Sequence, residues 1–116
     1  MVTELPCYVM GKNQPARPAK NSNILTICRQ AVSEGNYTPV DHAKLRFDQR
    51  EITIQEMEQV IRLGYHEKTK DIYKPEYKTW NYSIRGKTID KKDLRIVVSL
   101  DKASGLLIIT VIDLGK

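Results

Sequence analysis

The hydrophobic period of the chain changes at Gly64, and nothing else in the sequence constrains the fold as strongly. Before Gly64, apolar residues recur every three to four positions; after it, they alternate. A period near 3.6 describes a helix with one buried stripe, and a period of two describes a strand with one buried face. Helices first and strands afterwards do not make the alternating units of a parallel α/β sheet. The order predicts an α+β fold, with three N-terminal helices packed on one face of a small antiparallel sheet.

Local signals place the elements. Ile24, Ile27, Cys28 and Ala31 mark one face of a first helix over about 23–34, capped by Asn23 and closed by Gly35. A second helix is expected from Thr38 to Gln49 or Arg50, with Pro39 at its first position and Val40, Ala43 and Phe47 facing the core. A third opens on Thr53 with Glu56 three residues on, a capping-box spacing, and closes at Gly64. Residues 65–72 read as a polar strand, then Trp80, Tyr82 and Ile84 as the apolar face of a second. Leu94–Leu100 reads as a mostly buried strand, joined by the short loop Asp101–Gly105 to Leu106–Ile112. The last run is so rich in β-branched residues that burial on both faces is expected. The polar, proline-containing residues 1–21 read as a flexible arm, and 22–116 as one domain.

The net charge of +5 is concentrated in one region. Residues 1–61 and 96–116 each balance their charges, so the excess lies within 62–95. A basic surface on one part of a fold suits a polyanion such as RNA, or serves solubility alone. Cys7 and Cys28 lack metal-ligand spacing, and Cys28 fits as a small buried hydrophobe. No apolar run approaches a membrane span and no secretory signal opens the chain, so a cytoplasmic location without membrane contact is expected. No phosphate loop, dinucleotide fingerprint or nucleophile elbow is present, and no cofactor is expected.

The remaining chemistry belongs to His, Arg, Lys and Tyr. His42, Arg46 and Arg50 stack at four-residue spacing on one side of the second helix, an imidazole beside two permanent cations. That face can hold a phosphate and move a proton, or be an ordinary solvated surface. RNA cleavage runs on such parts, because the 2′-OH nucleophile arrives with the substrate. His42 or His66 can carry the proton, while Arg46, Arg50, Arg85 and Arg95 offer planar donors to phosphate. His66, just past a helix end, also reads as an exposed loop residue. Trp80 and Tyr82 can stack bases or fill core and rim. Lys68 and Lys70 can bind RNA or pair with Glu67 and Asp71. Arg95, in an apolar strand, needs a partner or a solvent-facing groove.

The pattern His42-Ala43-x-x-Arg46-x-x-x-Arg50-x-Ile52-Thr53, with Tyr82-x-x-x-Gly86 and Leu94-Arg95-Ile96-Val97-Val98, resembles a bacterial family of unknown function whose genes lie beside YgiT-type zinc-finger antitoxins. The element order over 23–113 is similar to the MqsR toxins of the RelE-like group. The resemblance implies a RelE/MqsR-like fold and a metal-independent endoribonuclease toxin of a type II toxin–antitoxin pair, with RNA and a zinc-finger antitoxin as partners. It carries catalytic roles to His42, Arg46, Arg50 and Arg95, and RNA contacts to Lys68, Lys70, Trp80, Asn81 and Tyr82; the residues themselves add Arg85 as a phosphate donor. Two departures stand out. The family's Glu-Arg-Gly-Ile is here Gln49-Arg50-Glu51-Ile52, and the chain closes on Asp113-Leu114-Gly115-Lys116 without the terminal tyrosine of many RelE toxins. A non-catalytic nucleic-acid-binding or protein-interaction module is the alternative. A helix-turn-helix over the second and third helices is disfavoured, because Glu56 and Glu58 would face the phosphates with only Arg62 in compensation.

Overall fold

Helix ends in the computed structural model, which describes residues 17–115, are set by backbone bonds that the sequence largely dictates. Helix α1 (Ile24–Glu34) ends at Gly35, whose φ of 67° is the left-handed conformation glycine adopts without strain. There the Asn36 N–H donates to the Ala31 carbonyl at 2.8 Å and the Gly35 N–H to Val32 at 3.1 Å, a Schellman closure. Asn23 makes no side-chain cap; the first turn instead hangs on the Asn21 carbonyl, which accepts from the Ile24 N–H at 3.2 Å. Helix α3 (Ile54–Leu63) has the expected capping box: Thr53 Oγ1 accepts from the Glu56 N–H at 3.1 Å, and Glu56 Oε1 from the Thr53 N–H at 2.9 Å.

The second helix starts later than its sequence suggests. Tyr37–Pro39 is a strand, β1, and α2 runs from Asp41 to Gln49 with Val40 as an uncharged, extended cap. Thr38 precedes a proline and is biased toward extended backbone, and Pro39, lacking an N–H, is tolerated on an edge strand. Helix α2 also closes in a Schellman motif, with Ile52 N–H to Phe47 carbonyl at 3.0 Å and Glu51 N–H to Asp48 at 3.3 Å. Its left-handed position is filled by Glu51 at φ 54°.

Six strands form one mixed sheet. The others are β2 (Tyr65–His66), β3 (Ile72–Lys74), β4 (Thr79–Lys87), β5 (Asp93–Asp101) and β6 (Gly105–Asp113). The order is β1-β6-β5-β4-β2, with β3 also on β4. Two expectations are corrected. The helices are not all N-terminal to the strands, because β1 precedes α2 and α3. The sheet is not purely antiparallel, because β1 joins β6 in parallel. The single polar strand expected over 65–72 is two short strands around a 3-10 turn at Lys68–Lys70. The loop after Asp101 is as expected: its carboxylate accepts the Ala103 and Ser104 N–H groups, and Gly105 takes φ 76°.

All three helices bury their stripes against one sheet face. Ile84 of β4, Leu94, Ile96 and Val98 of β5, and Ile108 and Val111 of β6 are fully buried there with Ile24, Cys28, Ala43, Met57, Val60 and Ile61. Each large aliphatic side chain so buried contributes about 1.5–3 kcal/mol. Burial also pushes the Cys28 thiol up to about 12, so it packs as a protonated hydrophobe. Gly64 ends α3 for a different reason from Gly35. Its φ is −87°, but a Cβ there would lie 2.3 Å from the Arg85 carbonyl oxygen and 2.5 Å from that of Val60. Gly86 faces it: its Cβ would sit 2.9 Å from the Gly64 Cα. Two glycines thus let the end of α3 touch the backbone of β4. The other sheet face carries no helix, so β6 is only half-buried there, at Leu107, Ile109 and Ile112, rather than covered on both sides. No described helix is long and apolar enough to cross a membrane.

Candidate nucleic-acid interface

Strand alternation decides what the helix-free face displays. With Leu94 and Ile96 pointing into the core, Arg95 must point away from the helices. Its register partner on β4 is Arg85, so two guanidiniums stand directly opposite each other. Like charges in that position repel. Glu67, just past β2, relieves the repulsion: Oε1 accepts from Arg95 Nε at 2.7 Å and Oε2 from Arg85 at 3.1 Å. Arg85 is also held by both oxygens of Asp93, at 3.1 and 2.8 Å. The hydrogen bond from Arg95, then that from Arg85, holds the Glu67 carboxyl below the usual carboxylate range despite partial burial. Arg85 does the same for Asp93. Arg95 uses only Nε in this network, leaving its two terminal nitrogens without a hydrogen bond among the described residues. Its side chain is 17% exposed, so it is mostly buried on the sheet face and only part of it reaches solvent.

The same face continues into a groove of about 890 Å³. Asn81 and Ser99 form its floor with Leu107 and Ile109, and Val40 closes one side. Lys74, Lys78 and Lys102 line it against a single carboxylate, Asp101, and Tyr77 stands 76% exposed at its rim. Cationic walls and an accessible aromatic ring beside a floor of mixed polarity are parts a single nucleic-acid strand can use.

The predicted cations of α2 lie elsewhere. Arg50 donates to the Val111 carbonyl on the β6 edge that β1 leaves unpaired, which makes it an edge cap. Arg46 turns back on its own helix, with Nε 3.4 Å from His42 Nε2 and a second nitrogen 2.9 Å from Gln49 Oε1. His42 is exposed. Strand β6 stands between this stripe and Arg95, and no described hydrogen bond or ion pair joins them. The sequence suggested one cluster; the fold separates it into two.

The other predicted residues divide by face. Asn81 shares the open face with Arg85, four residues away along β4. Trp80 and Tyr82 point the opposite way, and Tyr82 is buried with only its hydroxyl engaged, by the Asn21 N–H at 2.8 Å. Lys68 and Lys70 are exposed on the 3-10 turn. His66 is no exposed loop residue. Its side chain is 7% exposed, its Nε2 is 2.8 Å from Asp71 Oδ2, and its Nδ1 has no partner. Among the described residues no three His, Cys, Asp or Glu side chains stand close enough to share a metal ion.

Residues 40–113, well over half of the chain, match the family described as Domain of unknown function (DUF4258). The chain belongs to that family. No curated protein and no solved structure matches it significantly. The matched stretch of this DUF4258 protein begins at Val40, so it holds the whole open-face network and the α2 stripe but not α1 or residues 17–21. Glu67, Asp93 and the three groove lysines were not singled out in the sequence. The available signal was alternation: Glu67, Arg85 and Arg95 share a face only once strands β2, β4 and β5 are registered.

Proposed function

We propose that this DUF4258 domain is an endoribonuclease whose working surface is the helix-free sheet face. The carrying observation is the Arg85–Glu67–Arg95 network, which shares its sheet face with a groove lined by three lysines. Single-stranded RNA lies along the groove with phosphates on the lysines and a base against Tyr77. The scissile phosphate meets the terminal nitrogens of Arg95, which stabilise the charge that develops on the phosphorane oxygens. As the arginines turn toward phosphate, their hold on Glu67 weakens. The cause of its acidity is then removed, and the carboxylate accepts the proton of the attacking 2′-OH. The 2′-oxygen bonds to phosphorus as the P–O5′ bond breaks, the leaving 5′-oxygen takes a proton from water, and the products end in a 2′,3′-cyclic phosphate and a 5′-OH. Arg46 and His42 on α2, beyond β6, add phosphate contacts away from this face.

The resemblance to MqsR and RelE-like toxins supports the same reading and extends it. The chain then acts on mRNA in the cytoplasm as the toxin of a type II pair, restrained by a zinc-finger antitoxin. Incubating the purified protein with a labelled single-stranded RNA in EDTA tests the reaction. Cyclic-phosphate products that vanish in the Arg95→Ala protein support it. A wild-type protein that binds the RNA without cutting it leaves a binding module instead.

A further inference from the structure

Residues 17–21 lie over the aromatic end of the helix-bearing face, held there by hydrogen bonds, an ion pair and cation–π contacts. Lys20 Nζ is 2.7 Å from Asp71 Oδ2, 3.4 Å from the Lys68 carbonyl oxygen and 5.1 Å from the centre of the Trp80 ring. A carboxylate, a carbonyl and an indole face thus converge on one ammonium, each a favourable partner for it. On either side, Trp80 Nε1 donates to the Pro18 carbonyl at 2.8 Å and the Asn21 N–H to the Tyr82 hydroxyl at 2.8 Å. We propose that Asp71, Trp80 and the Lys68 carbonyl form a lysine-recognition pocket, filled in cis by Lys20, and that residues 17–21 are a strap which loss of the Lys20 charge releases.

Three observations support the pocket as a site rather than a fold contact. Residues 17–20 are exposed and bury no apolar side chain, so what fastens them is the Lys20 ammonium, the Arg17 guanidinium 5.2 Å over the Tyr73 ring and the two flanking hydrogen bonds. The Asp71 side chain is 0% exposed while that of Lys20 is 35% exposed. An inaccessible carboxylate thus draws a cation from an accessible residue, and removing that cation leaves the carboxylate with only the Ser83 N–H and His66, a buried acceptor that favours recapture of an ammonium. The residues of the pocket fall inside the family match and the strap falls outside it, so the domain brings the receptor and this chain's preceding segment brings the ligand. The inference stands apart from any RNA chemistry, since it concerns the opposite sheet face.

Trp80 is the sole tryptophan of the sequence and reports directly on the strap. In the full-length Lys20→Gln protein, exchange of the Trp80 indole N–H should speed up by about tenfold or more, while Lys20→Arg keeps it within about twofold. A peptide of residues 17–22 added to the Lys20→Gln protein should restore protection, and the same peptide with acetylated lysine should not. Unchanged indole exchange in a folded Lys20→Gln protein, or a peptide without effect, overturns the proposal. The wild type gives a test that needs no variant: the Asn21 amide and Trp80 indole must exchange by local opening, well before the core amides of β5. If they exchange only with the core, the strap is not separable and the proposal fails.

Discussion

Glu51 and Glu67 show how single residues carry different kinds of cost. Glu51 occupies a left-handed position that closes α2, where the family resemblance expects glycine. A non-glycine residue there costs about 1 kcal/mol, partly offset by the greater chain entropy of unfolded glycine. Glu51→Gly should therefore raise stability by about 0.5–1 kcal/mol in urea titration, although it removes a side chain rather than adding one. Glu67 is held ionised between two arginines, and its folded pKa lies below the ordinary value of about 4.3. A depressed carboxyl stabilises the fold above its unfolded pKa and loses that contribution as pH falls through the folded one. Stability should thus drop below about pH 4. Glu67→Gln should cost about 1–3 kcal/mol at neutral pH and flatten that acid limb, which urea midpoints across the pH range will show. The capping box of Thr53 and Glu56 was legible in the sequence because both partners lie within one turn. The role of Glu67 was not, because Arg85 and Arg95 are 18 and 28 residues away and reach it only through strand register.

Element boundaries failed where tertiary pairing overrode a local signal. Thr38-Pro39-x-Asp41 is a plausible helix start taken alone, yet the free edge of β6 offers Tyr37–Pro39 a strand partner, and the pairing wins. The 65–72 stretch alternates like one strand, but the buried Asp71 carboxylate accepts the Ser83 N–H at 3.0 Å and meets His66, drawing the chain into a 3-10 turn. Gly64 ends α3 as expected, with an extended rather than a left-handed backbone. Its place is decided by the contact between α3 and β4, so Gly64→Ala should cost more than the ordinary glycine-to-alanine change. Placing a Cβ 2.3 Å from a backbone oxygen should cost about 3 kcal/mol or more by thermal denaturation. Gly35→Ala meets open space but a left-handed φ, and should cost only about 1 kcal/mol.

For the whole molecule, the switch of period at Gly64 yields the α+β class, and the single helical layer follows from it. One sheet face is consumed by the core and the other carries no helix. The sequence places the basic excess in the strand region but cannot say which side of the sheet each cation takes. Registered strands gather Arg85, Arg95 and Asn81 on the open face and put Trp80 and Tyr82 on the other. They also set the His42–Arg46 pair beyond β6. The ranking of variants follows from that separation. Cleavage of a single-stranded RNA in EDTA, compared among wild type, Arg95→Ala and His42→Ala, is the most direct measurement. The open-face site predicts that Arg95→Ala loses about a hundredfold or more, as when a transition-state donor is removed, while His42→Ala stays within about tenfold of wild type. Full activity in Arg95→Ala together with its loss in His42→Ala would contradict the account and move the chemistry to α2.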